Sequence, residues 1–297
     1  MKSLSISGGS TKIAALGGAA ITLLCDYNYE PNYIVGTSAG GILSVPLAMG
    51  LYDEVKELIT NFTLTDIFGK YKPVNSKGKI TLRALVRLLT GKPSLGKQDQ
   101  LINTFKKVMT EKRFNDYKKN KIYPTVFLCS VGFKTGSRKY ANCKQLTYEE
   151  FLDNVKSTSS IPAFVEPVLM NDEYYYDGGV RDHIGSHWLV EKFNITENYS
   201  IFSRPENAMI VEDNWKATNV LKPIFRGFDI MMIEISKNDE EKMDLLSKER
   251  GIKNHKIFMP YVLSDGKGMY EFSKETIAKW YDIGKTATHN YMKNPNI

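Results

Sequence analysis

Gly36-Thr37-Ser38-Ala39-Gly40 is a GxSxG pentapeptide that follows the short apolar stretch Tyr33-Ile34-Val35 and opens a helix-compatible run. A serine on so sharp a strand-to-helix turn has crowded neighbours, and residues without a Cβ let strand and helix pass closely enough to project its hydroxyl outward. Ser38 is therefore the candidate nucleophile. A serine hydroxyl is a weak nucleophile, so it needs a base to take its proton and donors to hold the oxyanion formed on attack. Gly8-Gly9, with Ser10 behind them, follow the strand-like Leu4-Ser5-Ile6 and offer backbone N–H groups at a helix start. Asp177-Gly178-Gly179 follows the strand-like Glu173-Tyr174-Tyr175-Tyr176 and offers a carboxylate at a strand end. A solvated aspartate, with a pKa of about 3.9, is a poor base, but burial beside a hydroxyl in an apolar pocket raises it. Each segment alone also reads as an ordinary turn.

The usual Ser-Asp-His triad is disfavoured. Ordinary α/β hydrolases place the nucleophile after several strands and follow it with an acid and then a histidine. Here the elbow follows a single earlier strand, and the four histidines, His183, His187, His255 and His289, stand in no recognisable catalytic context.

The elements that must position these residues form an α/β pattern. A strand at 4–6, a helix from about 13 to 24, a strand at 33–35 and a helix from about 39 to 49 make a βαβα unit, for which a parallel sheet with a right-handed crossover is expected. Both glycine turns then emerge at the carboxyl edge of the sheet, where α/β proteins place their sites. Residues 56–125 read as mainly helical, and Pro124 to Val131 as a buried central strand. Further strands are expected at 173–176, 199–202 and 256–259, and helices near 148–157, 183–193, 217–248 with a break at Pro223, and 273–292. No internal repeat or long linker divides the chain, so residues 1–297 read as one domain.

Composition narrows the classes. With 297 residues and 42% hydrophobic content the chain can bury a large core. Cys25, Cys129 and Cys143 are too few and too scattered for a disulfide framework, and no CxxC pair suggests a metal site. The apolar run from Ile13 to Cys25 is too short to span a bilayer, and Leu23 and Leu24 stand where a signal cleavage site needs small residues. The expectation is a cytoplasmic protein, peripheral on membranes at most.

Charge is concentrated. Residues 67–121 hold 15 Lys/Arg against Asp99, Glu111 and Asp116, while the whole chain carries a net charge of only +7. That mainly helical segment is suited to an anionic surface. Leu82, Leu85, Val86 and Leu89 recur there at helical spacing beside Arg83 and Arg87. Such a stripe either packs on the core with its charges solvated or lies on an anionic membrane, and Lys77, Lys79, Arg83 and Arg87 mark the surface the second reading uses. Ile230-Met231-Met232-Ile233 likewise reads as helix core or as a lipid pocket.

Together, the chemistry-bearing segments resemble the patatin-like phospholipase family, which combines a glycine-rich oxyanion loop, a GxSxG elbow and a DG(G/A) aspartate into a Ser-Asp dyad without histidine. The matching stretches are Ser7-Gly8-Gly9-Ser10-Thr11-Lys12-Ile13, Gly36 to Gly40, Asp177-Gly178-Gly179, and the serine-rich Ser157 to Phe164 ahead of the aspartate strand. Their order and spacing agree over residues 1 to about 190. Ser10 and Ile13 replace two loop glycines, and His183 and Gly185 stand where the family has asparagine and proline. The resemblance implies a three-layer α/β sandwich with a mostly parallel central sheet flanked by helices. It also implies an acyl hydrolase acting on phospholipids or related lipids without metal or cofactor, with Ser38 as nucleophile, Asp177 as base, and Gly8, Gly9 and Ser10 around the oxyanion hole. Lys12 matches the family's basic loop position, where it would steady the loop or meet an anionic substrate group.

Two other classes compete. A nucleic-acid-binding protein would use the basic region and its interleaved aromatics, but the region holds no groove-reading motif, so no nucleic acid partner is expected. A catalytically silent family member serving as a scaffold would have no need of both Ser38 and Asp177.

Overall fold

The computed structural model describes residues 1–75, 79–208, 221–263 and 273–295. The chain opens with β1 (Lys2–Ile6), turns through Gly8-Gly9 into α1 (Ile13–Ile21), and returns as β2 (Tyr33–Thr37) and α2 (Ala39–Ala48). Five helices follow: α3 (Tyr52–Asn61), α4 (Leu64–Phe68), α5 (Leu82–Leu89), α6 (Asp99–Lys106) and α7 (Glu111–Lys119). Then come β3 (Thr125–Gly132), β4 (Arg138–Asn142), α8 (Tyr148–Thr158), β5 (Val168–Met170), β6 (Glu173–Asp177) and α9 (Ser186–Lys192). The last elements are β7 (Glu197–Ile201), α10 (Leu221–Arg250), β8 (Lys253–Ile257) and α11 (Lys274–Lys293).

All eight strands join one mixed, mostly parallel sheet. β3, β2, β1, β7 and β8 are parallel neighbours in that order, so the βαβα expectation holds. The strands β4 and β6 pair antiparallel with β3 and β5 pairs antiparallel with β6, and the short β4 and β5 are additions to the sequence reading. Alternation along the strands divides the core. Leu4, Ile6, Ile34, Val126 and Leu128 face α1, α2, α3, α8 and α11 in the main cluster, while Val35 and Phe127 face α9 on the opposite side. The result is a three-layer α/β sandwich.

Apolar nearly all round, α1 is correspondingly buried, and it crosses α11 at backbone contact distance. In the described residues α10 begins at Leu221 with Pro223 in its first turn, where a missing N–H costs little, and positions 217–220 of the expected helix lie outside the described residues. No helix of the described residues is long and apolar enough to cross a membrane.

Candidate active site

The elbow is built by close approach. At Gly36 a Cβ would stand 2.5 Å from the Gly40 carbonyl oxygen, and at Gly40 it would stand 2.2 Å from the Ile6 carbonyl oxygen. Only with both positions bare can β2, α2 and β1 converge behind Ser38. Ser38 itself takes φ 56° and ψ −120°, a strained conformation for a residue with a side chain. Its N–H donates to Thr158 Oγ1 at 2.9 Å, and that hydroxyl donates onward to the Cys129 carbonyl at 2.5 Å. The serine-rich segment thus fixes the elbow's backbone, a role that sequence spacing alone does not reveal.

Asp177 reaches the same point from the opposite direction. β4 occupies one side of β3 along Phe127 to Val131, so β2 and β6 share the other side. Thr37 pairs with Cys129 and Asp177 with Ser130, the next residue along. Two oppositely directed strands therefore end against each other, with Ser38 on one tip and Asp177 on the other. The Ser38 side chain lies beside the Asp177 carboxylate, whose Oδ1 accepts the Gly179 N–H at 2.8 Å. Burial pushes the Asp177 pKa up to about 7, against the opposing pull of the Ser38 hydroxyl and the Gly179 N–H. A carboxylate so placed is a base suited to neutral pH.

The glycine loop lies beside this pair, but its parts are used unequally. The Gly8 N–H donates to the His183 carbonyl at 3.0 Å, and the Gly8 carbonyl accepts the Ser203 hydroxyl at 2.6 Å. Expected as an oxyanion donor, Gly8 is instead the loop's anchor. Gly9 and Ser10 follow it into a short 3-10 turn (Ser10–Lys12), with Ser10 at φ 49° and lining the pocket that contains Ser38. Lys12 is partly buried. Burial lowers its pKa while the charge of Asp229 on α10 raises it.

His183 is drawn into the site although its sequence context is uninformative. A Cβ on Gly8 would meet its Nε2 at 3.1 Å and the Ser38 Cβ at 3.4 Å, so imidazole and nucleophile flank the same glycine. Burial, reinforced by the charges of Arg204 and Lys12, lowers its pKa to about 3, leaving it neutral near pH 7. The His183 backbone N–H donates to Asp239 Oδ2 on α10 at 2.6 Å. Asp182, His187 and Asp239 form a buried group beneath it. The Arg138 guanidinium reaches two of the three, 3.0 Å from Asp182 Oδ2 and 2.7 Å from His187 Nε2. That group anchors the loop after Asp177.

From Ser38 an apolar pocket extends between Ile42, Leu58, Phe62, Ile67, Leu101, Phe105, Ile161 and Val165. It is suited to a hydrocarbon chain and to no strongly charged group.

The family model described as Patatin-like phospholipase matches residues 4–185, which spans the glycine loop, the elbow, the serine-rich segment and Asp177. The chain belongs to the patatin-like phospholipase family. This patatin-like chain is also similar in structure to VipD from Legionella pneumophila, with a TM-score of 0.52 and 13% sequence identity. That likeness covers 98% of this chain and 66% of VipD, and it shows the shared fold. The chain matches no curated protein sequence. Membership of the family supports a lipid hydrolase.

The basic residues are placed less uniformly than expected. Lys77 lies outside the described residues. Lys79 and Arg83 are exposed, and the Arg83 guanidinium donates to the Lys70 carbonyl at 2.9 Å. Arg87 corrects the sequence reading: it is buried, donating to the Ser94 carbonyl and to Glu166 Oε1 at 2.7 Å, so it is no part of an outer surface.

Proposed function

We propose that this protein is a serine acyl hydrolase, a single patatin-like domain that cleaves acyl esters of phospholipids or related lipids at an anionic membrane surface. The observation that carries the reading is Ser38 set at the strand end beside a buried Asp177 carboxylate, with Thr37 and Asp177 pairing with the consecutive residues Cys129 and Ser130; burial raises the Asp177 pKa to about 7. In the scheme, Asp177 takes the Ser38 proton as Ser38 Oγ attacks the ester carbonyl, and the N–H groups of Gly9 and Ser10 stabilise the oxyanion. The tetrahedral intermediate collapses, the alcohol leaves with the proton from Asp177, and an acyl-Ser38 remains. Asp177 then deprotonates a water that attacks the acyl-enzyme, releasing the fatty acid and restoring the Ser38 hydroxyl. The acyl chain occupies the apolar pocket running from Ser38. No step draws on a metal or cofactor.

The test is to incubate the purified protein with a mixed phospholipid extract and identify released fatty acids and lysolipids by mass spectrometry. Release by the parent and none by Ser38→Ala is expected. A parent protein that releases no acyl chain from any lipid class would overturn the reading.

A further inference from the structure

The helix α5 is inverted relative to an ordinary surface helix. Its leucines point outward: Leu82 is 77% exposed, Leu85 42%, Val86 50%, Leu88 56% and Leu89 76%. Its inward residues are Ala84 and the buried Arg87. The apolar stripe visible in the sequence therefore does not pack on the core. Five contiguous aliphatic side chains on two turns form a patch that water alone would not favour.

We propose that α5 is a membrane anchor, inserting these side chains into the outer acyl region of an anionic phospholipid leaflet and holding the pocket mouth against it. This rests on the acyl-hydrolase reading for its substrate but on separate observations for the surface. Charge comes first. Between Asp66 and Asp99 the sequence holds no acidic residue, yet it holds Lys70, Lys72, Lys77, Lys79, Arg83, Arg87, Lys92 and Lys97. Of these, Lys70, Lys79, Arg83 and Lys92 are exposed around α5. Apolar side chains within a ring of cations fit the boundary between acyl chains and anionic headgroups.

Continuity with the site comes second. Beneath α5, Arg87 grips Ser94 and Glu166, and the backbone beyond Ser94 runs against the pocket wall: Leu95 N donates to the Ala163 carbonyl and Gly96 N to the Phe164 carbonyl, each at 2.8 Å. That wall includes Ile161 and Val165, and its Ser160 carbonyl accepts the Asp177 N–H at 2.9 Å. The Phe164 ring of that wall lies 6.4 Å from the Phe228 ring of α10, and α10 exposes Ile224, Ile230 and Met231. The Ile230-Met231 stretch is thus neither core nor pocket lining. Exposed apolar surface on α5 and on α10 thus adjoins the pocket wall, as a lipid chain passing directly from bilayer to Ser38 requires.

The test measures sedimentation of the full chain with phosphatidylcholine vesicles, with and without phosphatidylserine, for the parent, for Leu82→Gln/Leu89→Gln, and for Lys70→Gln/Lys79→Gln/Arg83→Gln/Lys92→Gln. All substituted side chains are exposed, so turnover of a short soluble ester should be unchanged and reports the fold. Each variant should bind the anionic vesicles about ten-fold or more weakly than the parent. A Leu85→Trp variant should gain fluorescence that bromine-labelled acyl chains quench. Undiminished binding by the leucine variant, or no quenching at position 85, would overturn insertion. Equal binding of the parent to neutral and anionic vesicles would overturn the anionic-leaflet assignment. A parent dimer that Leu82→Gln/Leu89→Gln dissolves would instead give α5 to a second copy of the chain. Vesicle binding as expected with no ester hydrolysis by any form would leave the anchor standing and sink the hydrolase reading.

Discussion

Ser38 and Asp177 terminate two strands that meet end to end along one side of β3, where their neighbours Cys129 and Ser130 are consecutive residues. The two residues are 139 positions apart in sequence, and adjacent backbone pairings, rather than flexible loops, hold them together. Ser38→Ala and Asp177→Asn should each lower ester turnover by about a thousand-fold or more while leaving the fold intact. Circular dichroism alongside steady-state kinetics checks both parts, and a variant retaining a tenth of the parent rate would exclude its residue from the dyad.

The sequence marks Ser38 and Asp177 as a candidate pair because each sits in a local pattern with a mechanical reason: glycines that permit the crossing at Ser38, and a strand that stops at Asp177. It could not carry the support. Thr158, Ser203 and Asp239 act through hydrogen bonds to residues that are distant along the chain, and nothing in their own neighbourhoods marks them. Gly8 read as an oxyanion donor because a glycine turn advertises bare amides, whereas the carbonyl that occupies its N–H belongs to His183. The antiparallel β4 and β5 escaped notice because they are short and polar or partly exposed, without the apolar run that marked β3. For α5 the periodicity was right and its direction was not fixed, since a helical stripe does not say whether it faces core or solvent until Arg87 finds Glu166.

The rate should depend on pH through Asp177. Only the carboxylate can take the Ser38 proton, so kcat/KM for a soluble ester should rise with pH up to about 7 and level off above it. The same shift has a stability consequence of opposite sense. A carboxyl whose pKa is raised on folding contributes stability that is fully present below about 3.9 and lost as pH rises through about 7. Asp177→Asn should therefore melt above the parent at pH 8, where about 2–4 kcal/mol of ionisation cost is relieved, and nearer to it at acid pH. A pH-independent difference in melting temperature would contradict the raised pKa.

His183 separates the dyad from a hidden triad. A neutral imidazole with a pKa of about 3 cannot produce an acid limb near 7. His183→Asn should reduce the rate through lost packing against Gly8 while leaving the limb at about 7 in place. Loss of that limb, or inactivity equal to Ser38→Ala with the fold preserved, would assign the proton transfer to the histidine.

Thr158 provides a positioning test. Thr158→Val leaves the Ser38 N–H and the Cys129 carbonyl without their shared partner, a buried loss of about 1–3 kcal/mol. We expect lower thermal stability and a lower kcat with little change in KM, and Thr158→Ser, which keeps the hydroxyl, should restore both. An unchanged kcat in Thr158→Val would show that the elbow holds its geometry without this bond.

The central claim is that Ser38 is an activated serine beside an oxyanion hole, and a fluorophosphonate trap reads this directly. The reagent forms a tetrahedral phosphorus adduct that mimics the acylation intermediate and reacts with an activated serine. Peptide mass spectrometry after labelling should find one adduct, on Ser38, formed equally with and without a saturating chelator and absent from Asp177→Asn. An adduct on another residue, or a Ser38 that stays unlabelled while the protein hydrolyses ester, would contradict the assignment.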